Sequence, residues 1–215
     1  MYNKFGKRTL DIVLALGALA VFMIPMGLVA LWVKIDSKGP ALFRQLRSGE
    51  NRKPFTVYKF RTMATDAPSD MPTNAFKDSH VHITRSGKIL RKLSLDELPQ
   101  LFNVIKGDMS VVGPRPVLVN EINLLGLRDI VGANDLKPGI TGWAQVNGRD
   151  ELDDIVKAQM DGAYVNRRGL LIDLKCLTMT FAAVLSIKGH REGHEQSNSI
   201  YSEDSDKKLI SNRVQ

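Results

Sequence analysis

The sequence predicts an α/β protein, mostly helical with a few short strands, carried on an N-terminal membrane helix. Three observations predict it. Residues Leu10 to Val33 are almost unbroken hydrophobe. Ala41 to Met63 reads as extended structure around a Gly/Pro turn, with β-branched and aromatic residues in its second half, Phe55 to Met63. The remainder carries apolar residues at helical spacing, separated by Gly- and Pro-containing breaks. With 215 residues, 43% hydrophobic and 25% charged, the chain has enough apolar material for one core and cannot be wholly disordered. The organisation that follows is a membrane segment over residues 1–36, a small domain over 37–190 and a polar, disordered tail over 191–215.

The membrane segment comes first. Between Leu10 and Val33 the single charge is Asp11. As a helix, such a run of about 24 residues reaches roughly 36 Å, enough to cross a bilayer. Lys4, Lys7 and Arg8 precede it, and Lys34, Lys38, Arg44, Arg47, Arg52 and Lys53 follow it. Cations on both flanks draw both ends to the cytoplasmic side. A straight span cannot satisfy that, whereas a helix that enters, breaks and returns can. Pro25, near the middle, supplies the break, because it lacks a backbone donor and clashes with the preceding turn. A re-entrant helix-break-helix is therefore preferred over a straight span or a buried core helix. A cleaved secretory signal fits poorly, since the Ala18-Leu19-Ala20 site lies inside the apolar run.

Further along, Ala41 to Met63 reads as two extended stretches joined by a turn at Gly49 to Pro54. Ala64 to His82 is a polar loop with Pro68 and Pro72. Helical patterns flank Asp96, Gly107 is a helix stop, and Gly113 to Pro116 is a rigid turn. Lys137 to Arg149 reads as a glycine-rich polar loop. After Glu151 a helix places Leu152, Ile155, Val156 and Met160 on one face. The run from Gly169 suits either a core helix or one lying in a membrane interface, because Asp173 and Lys175 interrupt it. Cys176 is the only cysteine, so an internal disulfide is excluded and its place in an apolar run reads as packing.

The chemistry concentrates at Asp96-Glu97. The net charge of +7 points to anionic partners, whether nucleic acid, phosphates or a membrane face. Ser94-Leu95-Asp96-Glu97 fits a capping box, with Ser94 as N-cap. Pro99 conflicts with that register and allows the helix to start at Pro99, with the two acids on an irregular turn at its mouth. A carboxylate there can attack phosphorus or bind Mg²⁺, and Arg91 and Arg115 are at hand to neutralise phosphate charge. Cap and phosphoryl-transfer site both remain open on these residues alone. Competing motifs fail: there is no Walker A loop and no G-x-G-x-x-G. Asp153-Asp154 lacks the third acid of a diphosphate motif, and His80, His82, His190 and His194 have no cysteine partners at zinc spacing.

Three segments carry a specific resemblance: "YKFRTM" (Tyr58 to Met63), "LSLDELPQLFNVIKGDMSVVGPRP" (Leu93 to Pro116) and "KPGITGWAQVNGR" (Lys137 to Arg149). In order, over roughly Lys4 to Ile187, the chain resembles the small monotopic phosphoglycosyl transferases, the bacterial sugar transferases that start lipid-linked glycan assembly. The resemblance implies a re-entrant membrane helix and a cytoplasm-facing catalytic domain with interfacial helices, on the bacterial inner membrane. It implies transfer of a sugar 1-phosphate from a UDP-sugar to polyprenyl phosphate, with Mg²⁺, release of UMP and a covalent phosphosugar on the aspartate. Asp96 matches that nucleophile. Glu97 matches the acid that assists the metal or the lipid phosphate, so both acids are the expected metal ligands. Arg91 and Arg115 match phosphate-holding arginines. Lys59 and Arg61 match segments near the nucleotide-sugar pocket, as do Thr141, Gln145, Asn147 and Arg149 in the later loop. The implied partners are the two substrates and anionic lipid, and no nucleic acid. The chain departs from the family at Ile24, where a serine often precedes the membrane proline, and after Ile187, where no match is found. Without the additional membrane helices of larger relatives, it resembles the minimal catalytic form.

Overall fold

A computed structural model of the chain describes residues 2, 6–67, 79–148 and 152–185. The tail expected at 191–215, Arg149 and most of the polar loop lie outside the described residues. The elements in order are α1 (Lys7–Asp36), β1 (Leu42–Ser48), β2 (Pro54–Phe60), α2 (Ser79–His82), α3 (Arg85–Lys92), α4 (Gln100–Lys106) and β3 (Ser110–Val112). Then come α5 (Ile122–Ile130), β4 (Gly139–Thr141), α6 (Trp143–Val146), α7 (Asp154–Arg167) and α8 (Leu170–Leu185). The described residues are thus mostly helical with short strands, as the sequence predicts.

α1 buries only one stripe, Asp11, Ala15, Leu19, Met26 and Val33. Its remaining apolar surface, including Val13, Val21, Ile24, Leu28 and Ile35, is exposed. Leaving each such side chain in water forgoes about 1.5–3 kcal/mol of transfer free energy. The helix is long and apolar enough to cross a membrane, and only 17% of its most apolar stretch is buried. A core helix is mostly buried, and this stretch is mostly exposed. The expected break at Pro25 needs correction: α1 is one continuous helix with Pro25 inside it. A proline removes one bond of the ladder and strains one turn, while the bonds on either side keep the coil intact.

Both ends of α1 are tied to the same domain. At the start, Arg8 Nη1 and Nη2 donate to the carbonyls of Val104 (2.6 Å) and Ile105 (3.0 Å) at the C-terminus of α4. Asp11 Oδ1 accepts from Ser110 Oγ and Val111 N, each at 3.0 Å. At the end, Asp36 Oδ2 accepts from Ser86 N (2.9 Å) and Ser86 Oγ (2.8 Å). Arg61 Nη2 donates to the Ser37 carbonyl at 2.7 Å, and its Nη1 donates to the Lys38 carbonyl.

β1 and β2 form an antiparallel hairpin, with Leu42 opposite Phe60 and Ser48 opposite Pro54. β3 and β4 pair in parallel, Ser110 with Gly139 and Val112 with Thr141, with α5 in the crossover. The loop expected over Lys137–Arg149 therefore contains a strand and a short helix. Gly139 makes the pairing possible: a Cβ there would stand 2.1 Å from Gly113 N. The α1 stripe packs with Phe55, Val57 and Phe60 of β2, Leu90 of α3, and Leu101 and Val104 of α4 to form the main core. α5 and α7 make a second cluster through Leu124, Leu125 and Ala158.

α7 turns a different face inward from the one its periodicity suggests. Ala158, Asp161, Gly162 and Tyr164 are buried, while Ile155 is exposed. Polar partners decide this: Tyr164 Oη donates to Asp173 Oδ1 at 2.8 Å, which satisfies both groups in the interior. On α8, Asp173 and Cys176 point inward, whereas Leu170, Leu171, Leu174 and Phe181 are exposed. The acid at the centre of α8 faces the protein and the leucines face away.

Candidate active site

The Asp96-Glu97 segment is not a capping box. Ser94 is left-handed (φ 54°) and makes no side-chain cap bond. Leu95–Glu97 is a single 3₁₀ turn, and α4 begins beyond it at Gln100, with Pro99 in the N-cap position. The acids therefore sit on an irregular turn at the helix mouth, the alternative that Pro99 suggests. Gly107 (φ 98°) ends α4 as expected.

The two acids have different surroundings. Glu97 Oε1 takes Lys59 Nζ at 2.7 Å and Arg115 Nη1 at 3.3 Å. Burial pushes the Glu97 carboxyl up, but the Lys59 ammonium and the Arg115 guanidinium outweigh it and hold the pKa at about 2. Asp96 is half-buried and has no hydrogen bond or ion pair among the described residues. Its pKa is raised, first by burial and then by the Glu97 charge, although Lys59, Arg91 and Arg115 pull it down. One carboxylate is clamped and charged at neutral pH; its neighbour is unpartnered among the described residues and poorly solvated. Environments that push adjacent acids apart in this way assign them separate roles.

Each cation around the pair is delivered by a different element. Lys59 comes from β2, where strand alternation alone sets its direction. Arg91 is in the last turn of α3 and its Nε donates to Thr62 Oγ1 at 2.9 Å. α3 itself is capped by Thr84, whose side chain accepts from Gly87 N. Arg115 lies on the turn after β3, and the prolines on either side of it have no N–H with which to hold that turn. Instead, consecutive carbonyls are held from outside. Pro114 O accepts from Gly139 N (2.8 Å), Arg115 O from Arg128 Nη1 (2.9 Å), Pro116 O from Arg47 Nη1 (3.3 Å) and Val117 O from Ser48 N (2.9 Å).

The sequence-predicted residues divide accordingly. Asp96, Glu97, Lys59, Arg91 and Arg115 converge. Arg61 is 4% exposed and its bonds go to the C-terminus of α1. Thr141 Oγ1 is 2.7 Å from Thr180 Oγ1 of α8, Gln145 Nε2 donates to Ile140 O, and Asn147 Nδ2 donates to Trp143 O. Their loop still reaches the cluster through its backbone, because Gly139 N and Thr141 O bond Pro114 O and Gly113 N. Arg47 and Gln100, missed by sequence reasoning, line the cleft with Lys59, Glu97 and Arg115. No local signal marks either residue, because the cleft is closed by segments far apart in the chain.

Among the described residues no group of three His, Cys, Asp or Glu could hold a metal ion. Mg²⁺ is commonly held by one or two carboxylates, with substrate phosphates completing its sphere. Asp96 and Glu97 fit that requirement, since both ion pairs of Glu97 use Oε1 and leave Oε2 as a donor.

Residues 2–187 match the family described as bacterial sugar transferase. An uncharacterized sugar transferase of Bacillus subtilis (strain 168) is 40% identical over 197 residues, covering 92% of this chain and 94% of the relative. An undecaprenyl-phosphate glucose phosphotransferase of Komagataeibacter xylinus is 39% identical over 193 residues, covering 83% of this chain and 36% of that protein. A UDP-glucose:undecaprenyl-phosphate glucose-1-phosphate transferase of Escherichia coli (strain K12) is 40% identical over 185 residues, covering 83% of this chain and 40% of that protein. The chain spans less than half the length of the last two. With the family match over nearly all the described residues and a relative of the same length, the chain belongs to the bacterial sugar transferase family.

Proposed function

We propose that the chain is a phosphoglycosyl transferase that moves a sugar 1-phosphate from a UDP-sugar to polyprenyl phosphate, undecaprenyl phosphate being the acceptor, at the first membrane step of glycan assembly. The observation that carries this reading is the unpartnered, half-buried Asp96 among three cations, beside a Glu97 clamped by two of them. An Asp96 oxygen attacks the sugar-proximal phosphorus of the diphosphate. A P–O bond forms, the bridging P–O bond breaks, and UMP leaves with the electron pair. An oxygen of polyprenyl phosphate then attacks the same phosphorus, and the Asp96 carboxylate leaves. Lys59, Arg91 and Arg115 offset the charge that builds on the phosphoryl oxygens in each step. Glu97 holds Lys59 and Arg115 in place. Asp96 and Glu97 would hold Mg²⁺, which would supply further charge neutralisation of the donor diphosphate.

The lipid acceptor fits the rest of the molecule. The exposed apolar face of α1 lies in the bilayer. Because both ends of α1 are bonded to the catalytic domain, the helix enters and returns on the cytoplasmic leaflet of the bacterial inner membrane. The outward leucines and Phe181 of α8 rest in the interface, and the positive net charge favours anionic lipid.

The test is nucleotide release by detergent-solubilised protein with Mg²⁺, a panel of UDP-sugars, and polyprenyl phosphate present or absent. Lipid-dependent UMP release over many turnovers is expected, with one stoichiometric burst of UMP when lipid is left out. UDP as the product, or no nucleotide from any sugar, sinks the reading. Sustained UMP release without the burst retains the substrates and rejects the covalent step.

A further inference from the structure

Arg128 lies outside the cluster, on α5, and is 4% exposed; Asp161, on α7, is 1% exposed. Arg128 Nε and Nη2 donate to Asp161 Oδ2 at 2.8 and 2.7 Å. Nη1 donates to the backbone carbonyl of Arg115 at 2.9 Å. Burial raises the Asp161 pKa even with Arg128 in contact, so desolvation is not fully offset. A buried ion pair of this kind is often no better for stability than apolar residues of similar volume. Its position suggests another use. Arg115 is the one residue of the proline-flanked turn whose side chain reaches Glu97, and its own carbonyl is the one that Arg128 holds.

We propose that the Arg128–Asp161 pair positions Arg115: Asp161 fixes the guanidinium fork of Arg128, Arg128 fixes the Arg115 carbonyl, and the Arg115 side chain is thereby aimed at Glu97 and the donor diphosphate. Arg128 and Asp161 are positioning residues and touch no reacting atom. The inference rests on the reading of Asp96, Glu97 and Arg115 as the catalytic cluster. Displacing a catalytic group by about 1 Å costs on the order of a hundredfold in rate. An apolar pair at these positions removes the tether while keeping the α5–α7 contact filled.

The experiment is a double-mutant cycle on UMP release. Arg128→Met with Asp161→Leu is expected to lower kcat roughly 10- to 100-fold, with a smaller change in KM for the UDP-sugar and little change in Tm. In an Arg115→Met background the same pair should cost nothing further, because residues that act through one another are not additive. A loss that multiplies in that background, or wild-type kcat for the apolar pair, overturns the proposal. Arg128→Lys guards against misfolding: it keeps a charge for Asp161 but loses the rigid fork that spans the carboxylate and the Arg115 carbonyl, so the same kcat loss is expected. Nitrogen-15 spectra of arginine-labelled protein give a readout without turnover. Slow rotation of the Arg115 guanidinium in the wild type should become fast in Arg128→Lys; an unchanged Arg115 signal overturns the proposal. If the wild type releases no UMP with any sugar, the functional reading fails, and these spectra alone decide the tether.

Discussion

Asp96 and Glu97 are adjacent in sequence and opposite in circumstance, which gives each a different prediction. Asp96 is desolvated and unpartnered, so its folded pKa is raised and its ionised form is disfavoured by the fold. Stability from such a group is present at low pH and is lost as pH rises through the folded pKa. Asp96→Asn removes that cost at neutral pH: thermal melting should show a Tm at or above wild type, while UMP release falls at least about a thousandfold. A substitution that lowered Tm and left turnover intact would return Asp96 to a structural role. Glu97 has the opposite sign. Its pKa falls from 4.5 to about 2, so its stabilisation is complete above about pH 4.5 and disappears as pH drops toward 2. Glu97→Gln should therefore flatten the loss of Tm between pH 5 and pH 2, as read by melting over a pH series. The pair itself was legible from Asp-Glu before Pro99 with arginines nearby. Their inequality was not, because it depends on Lys59 and Arg115 both choosing Glu97.

At the scale of elements, the hairpin and the stop at Gly107 follow from local chemistry: a Gly/Pro turn between extended stretches in one case, a left-handed residue in the other. The parallel β3–β4 pair does not. Its strands are three residues each and lie on either side of α5, so neither has a pattern long enough to recognise. The pairing depends on backbone passing close to backbone at Gly113 and Gly139. Gly139→Ala places a Cβ 2.1 Å from Gly113 N, with no flexible side chain to yield. The expected cost is about 3 kcal/mol of stability by chemical denaturation. The same displacement would move the turn bearing Arg115, so activity should fall further than stability alone explains.

For the whole molecule, the proposed relation to the bilayer rests on α1. Arg8 and Asp11 at one end, and Asp36 and Ser37 at the other, bond the same domain. Single cysteines introduced at Gly6 and Lys38, with the buried Cys176 replaced by serine, should react with an impermeant maleimide from the same face of oriented membrane vesicles. Reaction from opposite faces would reject the re-entrant arrangement and leave α1 a straight span. The flanking cations point to this arrangement from sequence, but Pro25 is not the interruption that they invite. The helix continues through it, held by the stripe from Asp11 to Val33 on the domain.

The sequence by itself determined the apolar helix, the hairpin, the Asp-Glu pair before Pro99 and the three segments that mark the family. Each is a local pattern, set by residues a few positions apart. Only the tertiary structure decided which cations meet which acid, because those contacts close long loops: Lys59 with Glu97, Arg128 with Asp161. Arg61 shows the difference plainly. The family resemblance places it near the substrate pocket, but the carbonyls at the end of α1 take its guanidinium. Which partner a buried arginine takes is settled by whichever unsatisfied acceptor the packing brings nearest, and that information is not local to the chain.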